Sequence, residues 1–337
     1  LEYMLDTCSS SIARHSLNQS CQIPSTGNRK PLHDASSRVN MTKTMKPMIH
    51  KKHNNENEEP KFSMKRIGDK EDPQDAYDYD LEVYITMKTD EDLYLADTDL
   101  FDLQSTITPK MRATVIDWLV EVHGKMGFHT DTLYLTVNLM DRFLSQCDID
   151  KSTYQRYGCA ALLIAAKNLE LYPPSLKDLV RFADDSFTSR LLSKSEAQIL
   201  IRLDFKVNPF LSSTFLKRYL RLLQPDFHLS MLGHYILETT IIDQSFIGDT
   251  PSKVAAAACF LAVTLYRGKG HWNKEVEADT RYSFADLTDM IQKLLNCVNT
   301  SATSKFSAVR RKYSGKEMDR ISSTEFPKTV EELMQKC

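Results

Sequence analysis

Apolar residues recur at helical spacing through most of the chain from residue 76 onward. Thr108-Pro109 is predicted to open the first strong helix, because threonine suits the N-cap and proline suits the first helical position. The same periodicity predicts a second helix over Thr130–Leu144. Residues 157–166 are predicted to form a third helix, which is apolar all round and rich in alanine. This composition is typical of a central helix that its neighbours approach closely. Pro173-Pro174 ends that stretch, since proline removes a backbone donor.

Two more helices, over Leu176–Phe182 and 193–204, complete a first set of five. The pattern then recurs. Thr250-Pro251 again pairs an N-cap residue with proline, and it leads into a second alanine-rich helix at 254–262. The remaining segments predicted to be helical in this set are 214–223, 231–242 and 283–295. The sequence therefore predicts an all-α fold of two similar helical units.

The first 75 residues have a different composition. Of the 31 aromatic residues in the chain, only Tyr3 and Phe62 precede residue 76, and serine, asparagine, lysine and glutamate dominate instead. Such a segment cannot bury enough apolar surface to offset its chain entropy. Residues 1–75 are therefore predicted to be a disordered tail.

Composition and charge exclude several classes of function. The formal net charge of −2 argues against a chain dominated by nucleic-acid binding. Seven scattered cysteines without a Cys-x-x-Cys pair predict neither a metal site nor a disulfide framework, and they favour a reducing compartment. No apolar run is long enough to span a membrane. Without a phosphate loop or a nucleophile–base pair, the sequence predicts neither an enzyme nor a cofactor site.

Several motifs resemble those of one known family. The segment Met-Arg-Ala-Thr-Val-Ile-Asp-Trp-Leu-Val-Glu-Val-His at 111–123 resembles the cyclin-box signature of mitotic cyclins. The similarity continues at 131–145, at 165–174 and in the second helical unit, and it covers about residues 73–300. Phe-Leu-Lys-Arg-Tyr at 215–219 resembles the B-type (G2/mitotic) cyclins.

The resemblance implies two tandem five-helix cyclin boxes behind the disordered N-terminal tail. The expected divisions are a regulatory tail at 1–75, an N-terminal box at 76–208, a C-terminal box at 209–310 and an extension at 311–337. It also implies a function: a regulatory subunit, not itself an enzyme, that binds and activates a cyclin-dependent protein kinase at G2/M. Such subunits complete the Lys–Glu ion pair of the kinase and help to order its activation loop, and phosphoryl transfer requires both. The expected locations are nucleus and cytoplasm.

The family resemblance assigns kinase binding to residues around the end of the third predicted helix. Lys167 and Glu196 would read as solvated charges on pattern alone. They match family residues that hydrogen-bond the kinase backbone, and charge-assisted bonds of this kind contribute about 1.5–3 kcal/mol each. The family usually follows the lysine with an aromatic residue and two acids. Here Asn168, Leu169 and Glu170 follow it, which predicts an altered contact.

A second candidate site lies on the first strong helix. Met111, Val115, Trp118 and Glu121 share one face, which on periodicity alone indicates core packing. The resemblance implies that this face and Gln155 form a shallow groove for Arg-x-Leu motifs of substrates or inhibitors. In that groove Glu121 would attract the arginine of the bound motif.

Two further sites follow from the resemblance. Arg112 and Asp141 match an internal salt bridge between the first two helices of the box. In the tail, Arg29, Leu32 and Asp34 resemble a destruction box, the motif read by the mitotic ubiquitin ligase.

Two alternatives from other classes remain open. A cyclin-fold scaffold for nucleic acid or transcription would need a basic face, yet acidic residues outnumber basic ones from residue 76 onward. A divergent cyclin that binds a kinase or transcription partner without activating it is motivated by Asn168 and Leu169. Reconstitution with a kinase separates these hypotheses.

Overall fold

The computed structural model describes residues 64–68, 70–71 and 77–336, and every regular element within them is helical, as the sequence predicts. The destruction box predicted at Arg29, Leu32 and Asp34 lies outside the described residues and stays a prediction. The α-helices are α1 (Asp80–Asp90), α2 (Pro109–Met126), α3 (Thr130–Leu144), α4 (Lys151–Leu169), α5 (Leu176–Phe182), α6 (Ser189–Arg202), α7 (Ser212–Leu222), α8 (Phe227–Thr239), α9 (Pro251–Arg267), α10 (Lys274–Thr280), α11 (Phe284–Thr303), α12 (Ala308–Lys312) and α13 (Val330–Lys336). Short 3-10 helices lie at Tyr77–Tyr79, Glu91–Tyr94, Leu100–Asp102, Gln244–Phe246, Lys316–Met318 and Ile321–Ser323.

Local capping explains where the helices begin. Thr108 caps α2 as predicted, with its hydroxyl accepting from Met111 N. Thr250 stands at the N-cap of α9 but makes no such side-chain bond, unlike the prediction. Helices α6 and α8 begin four residues earlier than predicted because Thr188 and Asp226 accept hydrogen bonds from their first turns. A polar cap therefore marks these starts better than the first apolar residue does.

Each of the two helical domains is built around one alanine-rich helix. Helix α4 packs against α2, α3 and α6, and α9 packs against α7, α8 and α11. Gly158 of α4 marks the closest approach to α2, since a Cβ there would lie 3.1 Å from Val115 Cγ1 and 3.4 Å from Leu119 Cδ1. Small residues thus let the outer helices reach the central ones.

Helices α2 and α3 serve both hydrophobic cores. Leu119 and Leu135 pack in the core of the first domain. Ile116, Val120 and Leu133 pack in the core of the second. Because apolar residues lie on both sides of α2, the two domains share a buried seam along this helix.

The N-terminal helix α1 packs on the second domain, although residues 76–208 were assigned by sequence to the first. The hydroxyls of Tyr84 and Tyr219 lie 3.2 Å apart, and Asp80 pairs with Arg218. Glu91 accepts bonds from Ser252 N at 2.8 Å and Ser252 Oγ at 2.6 Å. Buried apolar and ionic contacts therefore fix α1 to helices that follow it by more than a hundred residues.

The described end of the predicted tail also contacts the second domain. Lys65 N donates to Asp279 Oδ1 at 2.7 Å, and Ile67 N donates to Asp80 Oδ2 at 2.8 Å. Arg218 Nη2 donates to Lys65 O at 3.3 Å. Backbone amides of residues 64–68 thus satisfy one carboxylate on the second domain and one on α1.

The C-terminal segment completes the second core. Ile321, Val330 and Leu333 are buried there. The carboxylate of Glu238, fully buried, accepts two bonds from Lys312 Nζ at 2.7 and 2.8 Å and one from Tyr313 OH at 2.8 Å. Three hydrogen bonds from two donors to this buried carboxylate keep the segment in one position.

The structure also shows where the cysteines lie and whether any described helix could cross a membrane. Cys147, Cys159, Cys259 and Cys297 are buried and form no disulfide, and burial raises the pKa of Cys159 and of Cys297 to about 12. Thiols with such pKa values are poor nucleophiles at neutral pH. Among the residues described, no group of three His, Cys, Asp or Glu side chains could hold a metal. None of the described helices has the length and apolar character to cross a membrane.

The buried His123 is expected to make the folded protein less stable at acidic pH. His123 lies in α2 with Nε2 2.9 Å from the carbonyl of His129, which places the proton on Nε2, and its Nδ1 has no partner among the described residues. Burial lowers the pKa of His123, and the bond to His129 offsets this only in part. The unfolded chain therefore binds a proton more readily, so stability is present above the ordinary histidine pKa and is lost as pH falls below it.

His123→Gln is therefore expected to reduce the loss of unfolding free energy between pH 7.5 and 5.5 by about 1 kcal/mol. Urea unfolding followed by circular dichroism at both pH values measures it. His271→Gln is the matched control, since His271 is exposed. An unchanged pH dependence in the His123 variant would contradict the prediction.

Candidate functional site

Lys167 and Glu196 meet at the surface of the first domain. Lys167 is in the last turn of α4 and Glu196 is in the middle of α6, and their Nζ and Oε1 atoms lie 2.5 Å apart. The lysine side chain is 50% exposed and the glutamate 13%. The two predicted kinase-binding charges thus form one ion pair whose cation faces solvent and can also reach an outside acceptor.

Asn168 bonds within its own domain. Its Nδ2 donates to Asn208 Oδ1 at 2.7 Å and lies 3.5 Å from Val207 O. These bonds tie the end of α4 to the segment that follows α6. The neighbouring Leu169 is exposed.

Glu170 caps a helix. Its Oε1 accepts from His129 N at 2.8 Å and from Thr132 Oγ1 at 2.5 Å, at the start of α3. A carboxylate at a helix N-terminus satisfies free amides and interacts favourably with the helix dipole. In this structure the acid predicted to face a kinase therefore also orients α3, a role that its sequence position alone did not reveal.

Exposed apolar side chains lie at and beyond the ends of α4 and α6, the two helices that carry the Lys167–Glu196 pair, and we call them the rim patch: Leu169, Leu171, Tyr172, Ile201 and Phe205. Leu171 and Tyr172 are each 84% exposed, directly after α4. Ile201 and Phe205 lie at the end of α6, in the part of the chain that Asn168 holds against α4. Exposed apolar side chains near the ends of helices that also carry a charged pair are typical of a protein–protein interface.

Backbone geometry helps to present Phe205. Asp204 and Phe205 both have left-handed φ values, of 52° and 55°, and Phe205 N donates to Leu200 O at 2.9 Å. Non-glycine residues in this region are strained, and such strain is often found at functional surfaces. Sequence reasoning missed Ile201 and Phe205 because each fits the apolar pattern of α6 and its end.

The predicted groove face of α2 is half-buried throughout. Val115 and Trp118 pack partly against the first core, while Met111 and Glu121 stand at the two ends of the face. Gln155 is also half-buried and lies on α4 one turn before Gly158, the residue in contact with Val115. The structure therefore shows partial core packing of this face, and the groove stays a prediction.

Glu121 already has a cation beside it. Arg311 of α12 forms an ion pair with Glu121, and Ala308 N at the start of α12 donates to Asp117 Oδ1 at 2.9 Å. Burial raises the pKa of Asp117, an effect that the Ala308 amide and the nearby arginines only reduce. Helix α12 thus lies along α2 beside the groove, a contact that sequence reasoning did not predict.

Arg112 and Asp141 form the salt bridge that the resemblance implied. The Arg112 guanidinium is 2% exposed and donates through Nε at 2.6 Å and Nη2 at 2.7 Å to the two Asp141 oxygens. Its Nη1 donates to Ile242 O of the second domain at 3.2 Å. Burial lowers the pKa of Arg112, but Asp141 outweighs it and leaves the pKa above its ordinary value. The guanidinium therefore stays charged, and its bonds join three parts of the chain.

A cleft of about 330 Å³ opens between the two domains at the start of α2. Lys110 and Ala113 line it from α2, and Cys297 and Phe306 line it from α11 and the segment beyond. Because its walls come from both domains, no local pattern in the sequence marks it.

Comparison with known proteins matches both halves of the chain to family models. Residues 82–208 match "Cyclin, N-terminal domain" and residues 210–327 match "Cyclin, C-terminal domain". The putative cyclin-A3-1 of Arabidopsis thaliana is 36% identical over 238 residues, covering 68% of this chain and 67% of the relative. The G2/mitotic-specific cyclin-B of Marthasterias glacialis is 32% identical over 255 residues, covering 76% of this chain and 66% of the relative.

A solved structure shares the fold. The viral cyclin from herpesvirus saimiri superposes with a TM-score of 0.58 at 21% identity, covering 64% of this chain and 96% of the viral chain. Several relatives are considerably longer than the matched part, since only 59% of the cyclin-B of Spisula solidissima is covered.

Proposed function

This chain belongs to the cyclin family, and from that premise we propose that it is a regulatory subunit that binds and activates a cyclin-dependent serine/threonine kinase. The proposal extends to control of G2/M progression, which the names of the cyclin-B relatives support. Its role is to position the kinase rather than to perform chemistry. We propose nucleus and cytoplasm as the places where it acts.

The observation that carries the proposal is the Lys167–Glu196 pair, together with the exposed apolar side chains of the rim patch on the same two helices and the segments after them. An exposed lysine that is already oriented by a carboxylate loses little side-chain entropy when it donates to a backbone carbonyl of a partner. The surrounding apolar side chains would be covered in the same contact, which stabilises the complex further. The ion pair provides orientation and the rim patch provides buried area.

We propose that the groove on α2 and α4 binds docking motifs of substrates or inhibitors. Trp118 offers a large apolar surface and Glu121 an anion, which together fit a peptide with a basic residue near a leucine. Neither surface requires the other, so kinase binding and substrate docking are separable activities.

Reconstitution tests the proposal. The full chain is mixed with a purified cell-cycle kinase of the cyclin-dependent class, and complex formation and histone phosphorylation are measured. We expect an equimolar complex and kinase activity far above that of the kinase alone. The absence of a complex, with activity at the basal level, would contradict it.

A second candidate function is favoured by Asn168, which stands where the family usually has an aromatic residue. A divergent cyclin would bind the kinase without activating it. In the same assay it would give a stable complex with basal activity, so one experiment separates the two functions.

A further inference from the structure

Three consecutive basic residues of α12 have three different roles. Arg310 donates to the carbonyl of Ala302 at 2.7 Å, at the end of α11. Lys312 is held by the buried Glu238. Arg311 points another way, to Glu121 of the groove and to Ser307 Oγ. Consecutive helical residues project about 100° apart, so three neighbours reach three surfaces.

Arg311 differs from its neighbours because its ion pair lies at the surface. The side chains of Arg311 and Glu121 are 49% and 39% exposed. A surface pair of this kind is weak and opens readily. Arg311 is thus the removable member of the three, and its loss leaves the bonds of Arg310 to Ala302 and of Lys312 to Glu238 in place.

The rest of α12 fixes where Arg311 is presented. Ala308 and Val309 are buried, and Ala308 N donates to Asp117 Oδ1 one helical turn before Glu121. The guanidinium is therefore supplied to Glu121 by the same chain at high effective concentration. A free peptide must bring its own arginine from solution and also displace this one.

We infer that Arg311 is a specificity-determining residue of the groove, which makes the groove favour docking peptides with apolar contacts over those that depend on an arginine; the inference rests on the groove's proposed function. An incoming arginine exchanges one ion pair for another at Glu121, so its net contribution is small. The apolar face of Met111, Val115 and Trp118 stays open to a leucine or aromatic side chain.

The test is a comparison of two peptides that differ only in one residue, Arg-x-Leu and Ala-x-Leu, bound to the full chain and followed by fluorescence anisotropy. For the unsubstituted chain we expect the two affinities to differ by less than about twofold. For Arg311→Gln we expect the arginine peptide to bind roughly fivefold more tightly than the alanine peptide, the size of a freed surface ion pair.

Arg311→Lys keeps the charge and should restore weak discrimination. Lys328→Ala, which removes an exposed positive charge from the C-terminal segment, is the matched control and should behave as the unsubstituted chain. The ratio of two affinities on one protein does not respond to a general loss of stability.

Equal discrimination by the unsubstituted chain and Arg311→Gln would overturn the inference. If neither peptide bound to either protein, the docking groove and the inference would fall together. Kinase activation, measured in the reconstitution assay, would still stand or fail on its own.

Discussion

Replacing Lys167 and Glu196 together by alanine is expected to weaken kinase binding at least about a hundredfold, because two charge-assisted hydrogen bonds contribute about 1.5–3 kcal/mol each. Activation in the reconstitution assay should be lost with binding. The two side chains pair with each other across α4 and α6. Removing both therefore leaves no unpaired charge behind.

The fold of this double variant should be unchanged. A half-exposed ion pair contributes about 1 kcal/mol or less to stability, so the melting temperature and helicity should stay close to those of the unsubstituted chain. The matched control is Lys65→Ala with Glu275→Ala, which removes an exposed pair of 2.6 Å between the end of the tail and the second domain. Undiminished activation by the folded Lys167/Glu196 variant would mean that these residues are not the kinase contacts.

Arg112→Ala is expected to lower the free energy of unfolding by about 3–5 kcal/mol, because it leaves a buried carboxylate without its partner. The arginine also donates to Ile242 O, so the seam between the two domains loses a bond as well. Urea unfolding at neutral pH, followed by circular dichroism, measures the change. A loss of less than about 1 kcal/mol would contradict the role assigned to the pair.

A double variant separates the charge from the packing. Arg112→Met with Asp141→Leu replaces both members by apolar side chains of similar length, and buried pairs replaced in this way often retain stability. It should be more stable than Arg112→Ala alone by about 2 kcal/mol, a coupling in the range found for residues in direct contact. Equal destabilisation would show that packing around the guanidinium, and not the unpaired Asp141, is the cause.

Local signals in the sequence predicted most of the helices. The Thr108-Pro109 start of α2 was correct since an N-cap and its first turn are neighbours in sequence. Thr130–Leu144 and Leu176–Phe182 were also placed at their observed bounds, where the apolar period is regular. The starts of α6 and α8 were placed too late because Thr188 and Asp226 were not identified as N-caps, although apolar residues already lie in both first turns.

The candidate site was predictable only where a family motif marks it. Lys167, Glu196 and the face of α2 came from the resemblance, and the structure shows how they are arranged. The pairing of Glu121 with Arg311 joins residues 190 positions apart, and nothing near either residue in sequence signals the other. The inward bonds of Glu170 and the exposure of Phe205 likewise depend on how α3, α4 and α6 pack.

The placement of α1 has a consequence for how the molecule assembles. Asp80 leaves the ribosome well before Arg218, its partner 138 residues later, so α1 cannot reach its final position until the second domain exists. Until then Tyr84 and Met87, both buried in the finished protein, have no surface to cover. A chain divided near residue 208 would separate α1 from its binding site, leaving one fragment with a detached helix and the other with an open apolar face. The two halves are therefore repeats in architecture but a single unit in folding.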